Sequence, residues 1–159
     1  MKLKKILLSL TMLFIFTGCG TEVELDLDKL ETKLNNLTYV ENKEEVKLFE
    51  DNIEVDDEKL EDKYGMNTEI FDEILISTSK NLDTASMYAI FLPEEGYIEE
   101  CEQEINNFFE KYEQAWMMGY FPEEEKLVKN RSSEKYGNYY IYVISKDNDK
   151  VIETIKNTK

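Results

Sequence analysis

Apolar residues between Ile98 and Ala115 recur at alternating steps of three and four: Ile98, Cys101, Ile105, Phe108, Tyr112, Ala115. That spacing lines one face of a helix, predicted over about Gly96 to Met118 and closed by Gly119, roughly 35 Å long at about 1.5 Å per residue. Ahead of it stand two apolar runs, Ile74 to Thr78 and Ser86 to Leu92, separated by a polar stretch from Ser79 to Thr84 and stopped by Pro93. Short apolar runs bounded by turn residues predict a β-hairpin. A second hairpin, Arg131 to Tyr136 with Tyr139 to Ser145, is predicted to turn at Gly137-Asn138, a pair that tolerates positive φ.

The remaining segments are read from their ends. Leu27, Leu30, Leu34 and Leu37 lie at helical spacing, and Asp28 with Glu31 forms a capping-box-like pair, so a helix is predicted from Leu27 to Asn36. Thr38 to Asp57 is charge-rich, with Val46, Leu48, Ile53 and Val55 scattered through it, and reads as irregular with room for one short strand. Asp57 to Tyr64 reads as a short helix stopped by Gly65. Tyr120 to Glu125 reads as a turn that puts Pro122 at a first helical position, after which Leu127 and Val128 lead toward the second hairpin. Asp147 is placed to cap a last helix from Asn148 to Asn157, with Val151, Ile152 and Ile155 inward. The order hairpin, helix, hairpin, helix predicts an α+β fold: a four-stranded antiparallel sheet of two hairpin-plus-helix units, helices packed on one face, and short N-terminal helices added at an edge.

The first stretch, Met1 to Gly20, follows neither period. Lys2, Lys4 and Lys5 precede an uncharged apolar run from Ile6 to Phe16, and Thr17-Gly18-Cys19 closes it with small residues before a cysteine. The run is shorter than the ~20 residues a membrane-crossing helix needs, so it reads as a signal peptide with cleavage between Gly18 and Cys19. It resembles the leaders of bacterial lipoprotein precursors, with Phe16 standing where leucine is usual. The resemblance implies a diacylglycerol thioether on Cys19, which then becomes the new N-terminus. Two acyl chains, at ~0.8 kcal/mol per buried CH2, hold a protein stably where one holds it marginally. The chain therefore divides into residues 1–18 as leader, 19–26 as lipidated tether and 27–159 as one α+β domain.

Charge then narrows the partners. The formal charge is −16, and −19 once the three leader lysines are removed. An acidic body repels nucleic acid and anionic headgroups, so no nucleic-acid partner is expected and the lipid on Cys19 must supply the hold on the membrane. Most of this charge reads as a solvated surface. With Cys19 consumed, Cys101 alone remains, so no intramolecular disulfide is expected, and its place in the helical stripe reads as core packing.

Candidate chemistry is sparse. The chain has no histidine, which excludes Ser-His-Asp and Cys-His catalysis and every histidine-containing metal site. Asp26 with Asp28, Asp147 with Asp149, and Asp56-Asp57-Glu58 lack the third ligand, central glycine and terminal glutamate of a calcium loop, and read as caps and solvated faces. No catalytic residue, cofactor or metal site is expected. The aromatics Trp116, Tyr120, Phe121, Tyr140 and Tyr142 are the candidate surface for a partner; with Tyr139 they suit a stacking platform for sugar or peptide, or else core and sheet packing.

From Ser77 onward a larger resemblance can be read. Met87-Tyr88-Ala89-Ile90-Phe91, the acidic helix with Tyr112-Glu113-Gln114, Tyr120-Phe121-Pro122-Glu123-Glu124, and Gly137-Asn138-Tyr139-Tyr140 before an apolar strand resemble the family called domain of unknown function 4358, and Tyr64-Gly65 fits its upstream part. The resemblance implies a small bacterial lipoprotein and carries over no catalytic residue. The expectation is a membrane-anchored extracytoplasmic lipoprotein whose domain binds, with an extracytoplasmic protein among its partners. A small-ligand or cation-binding lipoprotein, a carboxylate-dependent hydrolase and an envelope spacer stay open as alternatives.

Overall fold

The computed structural model describes residues 23–117 and 119–158. Helix α1, Leu27–Leu34, buries Leu30 and Leu34. Its cap is Asp26, whose carboxylate accepts from the Lys29 N–H at 3.0 Å, two residues earlier than the Asp28 and Glu31 pair suggests.

The charge-rich segment is more ordered than its composition predicts. It forms β1, Thr38–Glu41, and β2, Glu44–Lys47, a separate two-stranded hairpin, and then β3, Asn52–Glu54. The hairpin turns over Asn42 and Lys43, both at positive φ (51° and 72°), as a two-residue type I′ turn requires. A two-stranded ribbon presents little apolar surface, so the alternation that reveals buried strands is missing from its sequence.

Asp56 then caps α2, Asp57–Lys59, accepting from the Lys59 N–H at 2.9 Å, and the chain runs on through a π-helical turn, Leu60–Tyr64. Gly65, at φ 64°, ends it as expected. The first predicted hairpin is β4, Phe71–Ser79, with β5, Met87–Pro93, in the register Leu75 opposite Ile90. The long helix is α3, Ile98–Trp116. The Pro122 segment is a complete eight-residue helix, α4, Pro122–Lys129, rather than a turn. The second hairpin, β6, Ser132–Tyr136, and β7, Tyr139–Ile144, turns over Gly137 and Asn138, and Asp147 caps α5, Asn148–Lys156, through the Lys150 N–H at 3.2 Å.

The fold is α+β and antiparallel, and two points correct the expectation. The main sheet has five strands in the order β3-β4-β5-β7-β6, because β3 adds to the outer edge of β4 beside the four strands predicted. The helices also cover both faces. Met87, Ala89 and Phe91 of β5 point into one core with Cys101, Ile105, Phe108 and Phe109 of α3, whereas Tyr88 and Ile90 point into a second with Leu30 and Leu34 of α1 and Val151 and Ile155 of α5. A strand buried on both faces reads as an unbroken apolar run, which is the pattern of Met87 to Leu92. The two hairpin-plus-helix units thus repeat in order only; their helices lie on opposite sides.

Both cores hold protons in place. The buried Tyr88 hydroxyl donates to Asn35 Oδ1 at 3.1 Å, and burial pushes its phenol up to about 12 from 10.0. Cys101 donates from Sγ to the Ile70 carbonyl at 3.1 Å, and burial pushes its thiol up to about 11 from 9.0. Both groups release protons more readily when unfolded, so their contribution to stability is complete below about pH 9 and is lost as pH rises through 11 and 12. The urea midpoint is expected to fall steeply between pH 9 and 12. In Tyr88→Phe the upper part of that fall should flatten; an equally steep curve in the variant would show that Tyr88 does not carry it.

Candidate functional site

The apolar stripe of α3, 19 residues at about 1.5 Å each, runs about the length of the sheet beneath it. Upstream it packs on β5 and β7; at its C-terminal end, beside the last residues of β4, Ala115 and Trp116 form one wall of an open groove of about 580 Å³. The α3–α4 connection supplies Tyr120 and Phe121, and the Trp116 and Phe121 rings meet at 6.4 Å between centroids and 64°. The opposite wall is the C-terminal end of β4 with the loop that follows: Thr78, Ser79, Asn81 and Leu82. That loop is braced from behind, where Asp51 accepts from Asn81 Nδ2 at 2.9 Å and pairs with Lys80 at 2.9 Å. The Lys80 hydrogen bond holds the Asp51 carboxyl below its usual range.

The groove floor comes from the π-helical turn. Tyr64 packs on Phe108 at 4.6 Å between centroids, Lys111 Nζ donates to the Tyr64 carbonyl, and Lys63 Nζ lies 5.0 Å from the Tyr64 ring centre. Burial raises the Tyr112 phenol above its ordinary value, so it stays a neutral donor in the wall. Although the chain carries 35 acidic residues, the groove lining includes two lysines and no carboxylate.

Of the five aromatic residues singled out from the sequence, the structure brings three together: Trp116, Tyr120 and Phe121. Tyr120 is 77% and Phe121 41% exposed. Tyr140 and Tyr142 are elsewhere, on β7 beneath α3. The Tyr142 ring stacks on Phe109 at 4.4 Å, and the buried Tyr140 donates to Glu102 at 2.6 Å and accepts from Lys135 Nζ at 2.9 Å. Tyr139 faces the second core, where its hydroxyl donates to Glu73 at 3.0 Å. No single platform therefore unites these tyrosines with Trp116. The groove residues passed over in the sequence are Lys63, Tyr64, Asn81, Leu82 and Lys111, which converge only once the β4–β5 loop and the π-helical turn are set against the end of α3. Gly18 and Cys19, the predicted cleavage and lipidation positions, lie outside the described residues.

A second concavity, of about 670 Å³, sits at the other end of the strands and is acidic, with Asp72, Glu73, Glu94 and Glu95 in its walls. Here the described chain begins: Val23 packs beside Gly137, and the Leu25 N–H donates to the Tyr139 hydroxyl at 3.3 Å. Any Cβ at residue 137 would stand 2.7 Å from Val23 Cβ, and the φ of 60° is itself unfavourable for a side chain, so glycine is needed twice over. Among the described residues no group of three or more acidic or cysteine side chains could hold a metal ion, and no helix is long and apolar enough to cross a membrane.

An antiparallel α+β domain with helices on both faces and one aromatic groove at a strand end defines the class. The chain belongs to the family described as domain of unknown function (DUF4358), which it matches over residues 44–145. That span runs from the first residue of β2 to just past β7, so it contains every residue of the groove and leaves out α1 and α5. No curated protein and no solved structure matches the chain.

Proposed function

We propose that the protein is a lipoprotein held on the outer side of a cell membrane through Cys19, and that its domain acts by non-catalytic binding at the aromatic groove. The leader pattern from Lys2 to Cys19 supports the anchoring. The observation that carries the binding is the meeting of Trp116, Tyr120 and Phe121 around an open groove. Aromatic side chains left exposed together lose the stabilisation of burial, and ligand pockets of about 300–1,000 Å³ are typically built from such side chains with a few polar groups.

The test places a photo-crosslinking amino acid at Tyr120 or, as a control, at Val40, which is equally open at 74% exposed. On intact cells, the Tyr120 position is expected to give discrete adducts by mass spectrometry and the Val40 position none. Equal yields from both, or none from Tyr120, would remove the groove from consideration. Tyr120→Ala should leave the free energy of urea unfolding within about 0.5 kcal/mol of the parent, since an exposed side chain supports little of the fold.

A further inference from the structure

We propose that the groove takes a saccharide chain whose rings carry negative charge as carboxylate or phosphate, an inference that rests on the groove being the binding site. The first support is shape. Trp116, Tyr120 and Phe121 line the groove, aromatic faces carry negative charge density, and a pyranose presents a face of C–H bonds carrying partial positive charge. Its hydroxyls then need side-chain donors and acceptors, which Thr78, Asn81 and Gln114 supply.

The second support is charge. Lys63 and Lys111 are held at the groove by the Tyr64 ring and carbonyl, and among the described residues neither has an ion-pair partner. Elsewhere six cations, Lys59, Lys80, Lys126, Lys129, Arg131 and Lys156, are matched by carboxylates, so the groove lysines stand out less by lacking ion pairs than by facing a lining without carboxylates. Two unmatched cations in a lining free of carboxylates, on a chain of net charge −16, make a local attractor for anions on a surface that repels them. An ammonium has three donors, so Lys111 keeps two for a ligand after serving Tyr64.

An extended peptide fits less well. Peptides that dock beside a sheet gain most from a free strand edge, and the part of β4 bordering the groove, Thr78 and Ser79, is already paired with β3.

Trp116 is the only tryptophan in the chain, so its emission reports on the groove alone. The full chain in detergent is titrated with tetragalacturonate, with neutral cellotetraose and with an oligoglutamate peptide. Tetragalacturonate is expected to shift Trp116 emission saturably, with cellotetraose at least about tenfold weaker and oligoglutamate silent, since charge-assisted hydrogen bonds are about twice as strong as neutral ones. Lys63→Gln, an exposed position, should bring tetragalacturonate down toward cellotetraose, and Tyr120→Ala should weaken both. Equal binding of the two sugars would overturn the charge assignment. A response to oligoglutamate alone would overturn the saccharide and leave the groove as a binding site. Silence with all three probes while Tyr120 adducts still form on cells would do the same, and silence without adducts would remove both.

Discussion

Phe108→Ala is expected to destabilise the protein by about 3–5 kcal/mol, the range for deleting a buried phenylalanine. Phe108 is 1% exposed and sits where α3 meets the π-helical turn, with Tyr64 at 4.6 Å, Phe109 at 5.0 Å and Tyr112 at 6.4 Å between ring centroids. Three other aromatic rings are packed around it, so the loss combines transfer free energy with an unfilled cavity. Against a total stability of about 5–15 kcal/mol, this removes a large part of the folded population. Tyr64 and Tyr112 both lean on Phe108 and both line the groove, so Trp116 emission should shift in the folded variant as well. Urea unfolding gives the first number and fluorescence before the transition gives the second. A loss under about 1 kcal/mol would contradict the packing of α3 on Tyr64.

Cys19→Ser is expected to have the other large effect: transfer of the protein from the membrane to the soluble fraction, with loss of palmitate label. Each acyl CH2 contributes about 0.8 kcal/mol, and an acidic domain has no electrostatic attraction to anionic headgroups that could substitute for the chains. The remaining thiol, Cys101, is fully buried against Ile70 and cannot accept the label in the folded protein. Fractionation of cells with parallel labelling decides the matter. Retention of label and of membrane association in Cys19→Ser would exclude lipid attachment at that residue.

Much of the architecture is readable along the chain because the elements that form the centre of the fold repeat apolar residues at one clear period. The α3 stripe, both β4–β5 and β6–β7 hairpins, Gly65, and the Asp147 cap all follow local rules. What escapes those rules depends on neighbours far away in sequence. The β1–β2 ribbon carries three glutamates and a lysine among its eight residues, so only its turn marks it. The run Met87 to Leu92 announces two buried faces as plainly as it announces a strand, but which helices cover each face is decided by the routes of α3 and α5. The aromatic residues show the same limit. Nothing local separates Tyr120, left open just past the end of α3, from Tyr140 and Tyr142, roofed by its middle; the difference comes from which residues α3 covers.

The described chain begins beside Gly137, and the groove opens past Ser79, at opposite ends of the strands. The nine residues of β4 span about 30 Å at about 3.3 Å each. If the domain is moored through Cys19, as proposed, the acidic concavity is the end of the strands nearer the tether and the groove the end about 30 Å farther from it.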